Sequence, residues 1–122
     1  MRDDFGKKYR MHRKDEIDLL FQQGRKVYFF PILSHVYQQA SESPQFSVLI
    51  SVPKKKIRKA HDRNRIKRMV RECLRRNKEP LVKKTTEEGC VLHISIVYLS
   101  NEIAEFPQVE SQIKQIIQKI CA

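Results

Sequence analysis

Pro53-Lys54-Lys55-Lys56-Ile57-Arg58-Lys59-Ala60-His61-Asp62-Arg63-Asn64-Arg65-Ile66-Lys67-Arg68-Met69-Val70-Arg71-Glu72-Cys73-Leu74-Arg75-Arg76 holds two patterns at once. Ile66, Met69, Val70, Cys73 and Leu74 recur at i, i+3, i+4, i+7, i+8, which predicts a helix over Asp62 to Asn77 with one apolar stripe. Asp62 is the expected N-cap, where its carboxylate suits the positive end of the helix dipole. The other pattern is charge. These 24 residues carry 12 of the chain's 25 Lys and Arg against only two acids, Asp62 and Glu72. Because the chain as a whole is +11, the remaining 98 residues are almost neutral. A localised patch of this density repels itself unless a polyanion neutralises it, and nucleic acid is the commonest such partner.

Upstream, Phe46, Val48, Ile50 and Val52 alternate with Ser47, Leu49 and Ser51, a half-buried strand of period two. Ser41-Glu42-Ser43-Pro44 before it is a turn. The run from Lys26 to Gln39 is aromatic and β-branched, and Pro31 within it cannot donate to a ladder, so a strand starts after it or lies at an edge. Further back, Ile17, Leu20 and Phe21 place a helix over Lys14 to Gln23, with Gly24 expected to close it in a left-handed conformation. Downstream, Val91 to Leu99 is nearly all apolar and suits a strand covered on both faces. Pro107 opens a last helix with Val109, Ile113, Ile116, Ile117 and Ile120 inward. Glu87-Glu88 falls in a loop. The expected order is αβββαβα, a two-layer α/β (α+β) sandwich. Residues 1–8 read as a flexible basic arm and 9–122 as a single RNA-binding domain.

Composition excludes several classes. A 40% hydrophobic content with ten Phe or Tyr is too apolar for a disordered tail. No apolar run approaches the roughly 20 residues of a membrane span, and no apolar segment follows the charged N-terminus as a secretory signal requires. Cys73, Cys90 and Cys121 lack the short spacing of a disulfide framework or zinc site and fit a reducing, cytoplasmic setting. Acids are not clustered as a metal-dependent nuclease needs, and His12, His35, His61 and His93 are scattered, with core or surface roles expected for His35 and His93. With three Gly in all, no phosphate-binding loop or dinucleotide motif is present. The chain by itself reads as non-catalytic, with no small-molecule substrate.

Outside the apolar stripe, Arg63, Lys67 and Arg71 repeat every fourth residue, and Arg65, Arg68, Arg75 and Arg76 cover the remainder. Ordinary solvated helices interleave Glu with Lys at this spacing, whereas here Glu72 stands alone among bases. Guanidinium groups fork phosphate oxygens, and Asn64 bonds a phosphate, a ribose hydroxyl or a base edge.

Ser51-Val52-Pro53-Lys54-Lys55-Lys56 followed by Arg63-Asn64-Arg65-Ile66-Lys67-Arg68-Met69-Val70-Arg71 closely resembles the hallmark of the protein subunit of bacterial ribonuclease P, and the likeness extends over roughly residues 9 to 120. The resemblance implies a fold like the second domain of ribosomal protein S5, with a left-handed βαβ crossover. It also implies a partner, the ribonuclease P catalytic RNA, which cleaves the 5′ leader from precursor tRNA using Mg²⁺ that the protein does not hold tightly. On that reading Lys54, Lys55, Lys56, Arg63, Asn64, Arg65, Lys67, Arg68, Arg71 and Arg75 bind RNA, and Ile17, Phe21 and Tyr37 line a cleft for the single-stranded leader. The chain departs from the family pattern at Ile17, where an aromatic is common. It departs again at Lys55-Lys56-Ile57-Arg58, where Arg58 replaces a Gly and the linker gains a residue. A ribosomal or RNA-chaperone protein of the same fold is the alternative, and a free-standing nuclease a third reading.

Overall fold

Eight elements follow one another in a computed structural model that describes residues 13–122. The expected arm at 1–8 lies outside the described residues, as does His12. Helix α1 spans Lys14–Gln23, with Asp15 and Glu16 in its first turn, where carboxylates favour the dipole. Gly24 ends it, but in an extended conformation (φ −72, ψ 146), not the left-handed one expected. Its N–H bonds the Leu20 carbonyl at 2.9 Å. A Cβ here would lie 2.4 Å from the Leu20 oxygen and 3.2 Å from that of Val36, so glycine is required by close approach and not by positive φ.

The apolar run from Lys26 to Gln39 is two strands, β1 (Arg25–Phe29) and β2 (Ile32–Ala40), folded about Phe30-Pro31, whose peptide bond is cis. The turn at 41–44 leads to β3 (Gln45–Ser51). Helices α2 (Ala60–Asn77) and α3 (Glu79–Glu88) precede β4 (Cys90–Tyr98), and α4 (Phe106–Cys121) closes the chain. The sheet order is β1-β2-β4-β3. β4 pairs antiparallel with β2 and parallel with β3, so α2 and α3 form the crossover that parallel neighbours need. β4 is buried on both faces, as its composition predicted.

Val36 pairs with Ile94, and Ile32 with Tyr98. Side chains of that parity meet Ile66, Val70, Leu74, Leu81, Ile113, Ile116 and Ile120 in one core beneath α2, α3 and α4. The alternate parity, including His35 and His93, points to the opposite face, where α1 packs against β2 and β4. Leu20 is fully buried there.

Besides Gly24, two local expectations are corrected. Glu87-Glu88, expected in a loop, ends a helix, α3 (Glu79–Glu88), making the order αβββααβα. Its buried positions are only Leu81 and Thr85, and the Thr85 hydroxyl turns back to the Leu81 carbonyl at 3.0 Å, so a polar residue fills an inward site and the apolar period is lost. Gly89 ends this helix in the left-handed region (φ 59). Lastly, α2 is capped by Lys59, whose carbonyl receives the Arg63 N–H at 3.0 Å, which leaves Asp62 in the first turn.

Gly24→Ala is expected to cost about 1–3 kcal/mol, since overpacking against fixed backbone oxygens cannot relax by rotamer change. Urea unfolding should show a lowered midpoint with an unchanged slope.

Candidate nucleic-acid interface

Burial of Ile66, Val70, Cys73 and Leu74 fixes the rotation of α2. Asn64, Arg65 and Arg68 are thereby exposed, while Arg63, Lys67, Arg71 and Arg75 are half-buried along the flanks. The linker before α2 is held at both ends. The Pro53 carbonyl accepts from the Lys56 and Ile57 N–H groups at 3.0 and 3.1 Å, and Ile57 is plugged into the core. This turn presents Lys54, Lys55 and Lys56 to solvent beside α2.

The bases are not equivalent. Arg63 Nη1 donates to the Ile57 carbonyl at 3.1 Å and to the Arg58 carbonyl at 2.7 Å, so its guanidinium staples the linker to the helix. No described residue other than Gly has positive φ, so Arg58 sits in the linker without left-handed backbone. Arg75 Nε reaches both Glu72 oxygens at 3.0 and 3.1 Å. Arg76 joins the same carboxylate at 3.3 Å and lies 5.1 Å over the Phe106 ring. Hydrogen bonds from Arg75 chiefly hold the Glu72 carboxyl below the usual carboxylate range. The positive ridge therefore runs from Lys54 to about Arg71, and its far end is internally neutralised.

A second surface lies between α1 and the sheet. Ile17 is half-buried and Phe21 is 42% exposed, its ring edge-on to His35 with centroids 4.8 Å apart. Tyr37 pairs in register with His93 and stacks on it at 6.3 Å with 21° between planes. Ser47 Oγ lies 3.3 Å from His93 Nδ1. Ser95 Oγ accepts the His35 backbone N–H at 2.8 Å and lies 3.4 Å from His35 Nδ1. Phe21 and Tyr37 are brought to this face, over His35 and His93, while Ile17 stays half-buried on α1. Sequence spacing gave no reason to join His35 to His93, because their neighbourhood depends on the β2–β4 register. Among the described residues no three His, Cys, Asp or Glu converge as metal ligands, and no helix is long and apolar enough to cross a membrane.

The fold that carries these surfaces has counterparts among known proteins. A family model described as Ribonuclease P matches residues 5–121. The chain belongs to the ribonuclease P protein family. A ribonuclease P protein component from Porphyromonas gingivalis is 35% identical over 116 residues, covering 93% of this chain and 84% of that protein. The ribonuclease P protein from Thermotoga maritima superposes with a TM-score of 0.71 at 22% identity, over 90% of this chain and 96% of that one. That from Staphylococcus aureus gives 0.69 at 18%, over 92% and 94%. Both structures share the fold described above.

Two outcomes test the geometry. Burial lowers the pKa of both histidines, aided at His35 by Lys26 and opposed at His93 by Glu16. A histidine whose native pKa is depressed binds its proton more readily when unfolded. Its stability contribution is complete above an unfolded pKa of about 6.5 and declines as pH falls below that. Unfolding free energy should therefore drop from pH 7 to pH 5, and His35→Gln with His93→Gln should flatten the decline. Separately, Arg63→Ala should speed amide exchange at Lys56 and Ile57 and cost up to about 3 kcal/mol, the upper range for a charged hydrogen-bond donor. Arg65→Ala should do neither.

Proposed function

We propose that this chain is the protein component of a ribonuclease P ribonucleoprotein that removes the 5′ leader of precursor tRNA. The observation that carries the reading is the ridge itself, a rigid, single-signed surface whose orientation is set by core burial and whose partner must be a folded polyanion. Asn64, Arg65, Lys67 and Arg68, with Lys54, Lys55 and Lys56 alongside, bind the catalytic RNA. Arg71 extends that contact at the flank, Arg63 positions the linker while keeping its charge near phosphate, and Arg75 contributes at the margin. Guanidinium pairs to phosphates fix register without reading sequence, which suits docking on a structured RNA.

The leader occupies the cleft of Ile17, Phe21 and Tyr37. Phe21 and Tyr37 offer rings on which unpaired bases stack, whereas Ile17 offers only apolar contact, so stacking is weaker at the α1 end than with an aromatic there. Mg²⁺ is used by the RNA subunit, and the reactive groups are the RNA's own. What the chain supplies is neutralisation and positioning of two RNAs at once.

Purified protein should leave precursor tRNA intact, and the large RNA with Mg²⁺ should cleave it faster when the protein is added. Turnover by protein alone would identify a nuclease, and no stimulation would favour a ribosomal or chaperone role. If the ridge neutralises about six phosphates, log affinity for the large RNA should fall with log salt at a slope near −5. Arg65→Glu with Arg68→Glu should abolish assembly and leave the thermal transition near wild type, since both side chains are exposed.

A further inference from the structure

Phe30 and Tyr28 are the most exposed large hydrophobic residues described, at 64% and 50%. They sit at the β1–β2 turn, remote in sequence from the ridge. The turn is fastened in place: the Leu99 N–H donates to the Pro31 carbonyl at 2.7 Å. Lys119 Nζ donates to the Tyr28 carbonyl at 2.8 Å and lies 5.4 Å over the Phe29 ring. An aromatic ring held outward on a pinned turn is preorganised for contact.

Phe30 and Pro31 form one lip of a cavity of about 230 Å³ whose other walls include Ser100, Glu102 and Gln112. That volume is below the roughly 300–1,000 Å³ of drug-sized pockets and suits one flat heterocycle. The loop behind it is rigid: Tyr98 Oη donates to the Glu102 carbonyl at 2.6 Å, and the Glu102 N–H bonds Ser100 Oγ at 3.0 Å. Gln108, on the same wall, already accepts the Glu105 N–H at 3.2 Å. Gln112 Oε1 is buried and has no hydrogen-bond partner among the described residues. A buried acceptor without a donor calls for one.

We propose that this notch holds one unpaired nucleobase of an RNA strand, stacked on Phe30 with its amino edge toward Gln112 and Glu102. The proposal rests on the reading of the chain as an RNA binder and adds a contact separate from the ridge and the α1 cleft. The wall chemistry selects the ligand. Glu102 repels phosphate, so the inserted group is the neutral base, and Lys119 beside the turn attracts the backbone outside. Acceptors on the wall favour the amino groups of adenine, cytosine or guanine, and uracil has none to offer.

The test uses the full chain with hexaadenylate, hexacytidylate and hexauridylate at low salt, followed by anisotropy and amide chemical shifts. Hexaadenylate and hexacytidylate should shift Phe30, Ser100, Glu102 and Gln112 and bind more tightly than hexauridylate. Phe30→Ala should weaken hexaadenylate roughly 5- to 150-fold, the span of one stacked base, and Phe30→Tyr should retain affinity. Gln112→Leu should narrow the preference over hexauridylate. Unchanged affinity in Phe30→Ala would overturn the proposal, as would shifts confined to α1 and α2. So would sedimentation showing that Phe30→Ala merely dissociates a dimer. Assembly with the large RNA is read separately through Arg65 and Arg68, so loss of that result with the notch shifts intact would remove the earlier reading and leave this one.

Discussion

Burial of the inner side of α2 is the constraint on which the rest of the molecule depends. Arg63, Lys67, Arg71 and Arg75 stand at successive i, i+4 positions, and each like-charge pair of this kind costs about 0.2–0.5 kcal/mol. Against that, Ile66, Val70, Cys73 and Leu74 are at most 1% exposed. A fully buried aliphatic side chain contributes about 1.5–3 kcal/mol. The burial outweighs the repulsion several-fold, so the helix holds its charge density without a ligand. The same burial leaves no rotational freedom, and this is why Asn64, Arg65 and Arg68 share a side. Glu72 does the remaining work at the C-terminal end, where it gathers Arg75 and Arg76 against α4 through Glu110.

Much of this was legible in the residues because it depends on period alone. The stripe of α2, the alternation of β3, the continuous apolar run of β4 and the inward isoleucines of α4 each follow from local spacing. Pro31 likewise marked the break between β1 and β2. Illegible features depend on particular atoms, some distant in sequence and some one helical turn away, that hydrophobic spacing does not record. Gly24 is constrained by the Val36 carbonyl as well as by its own helix. Helix α3 keeps a threonine inward because its hydroxyl finds the Leu81 carbonyl, and composition alone marks such a position as polar surface. The shift of the α2 cap from Asp62 to Lys59 is a smaller matter of where the linker's last carbonyl points.

The candidate site shows the same division. A motif treats its basic residues as equals, and charge counting cannot do otherwise. Geometry separates them by what their guanidinium groups already hold. Arg63 spends donors on the Ile57 and Arg58 carbonyls and so shapes the path of Lys54 to Lys56, whereas Arg65 and Arg68 are exposed. Arg75 is committed to Glu72. In the cleft, Phe21 and Tyr37 were readable as aromatic positions, but their supports were not. His35 and His93 carry those rings, and each imidazole is matched to a serine from a neighbouring strand.

Strand β3 ties the two surfaces together. Ser47 reaches under the cleft to His93, and four residues later Ser51 ends the strand before the linker that carries Lys54. Four strand residues span roughly 13 Å, and parallel pairing with β4 from Gln45 to Ser51 fixes every step of it. The floor of the cleft and the start of the ridge are therefore two ends of one hydrogen-bonded segment, with Ile57 locking the far end into the core. A strand lying in the cleft and a folded RNA on the ridge would be held at a set separation without any hinge between them. Geometry fixed before encounter lowers the entropy cost of holding two bound strands at a set separation, which is what one hydrogen-bonded segment joining both surfaces supplies.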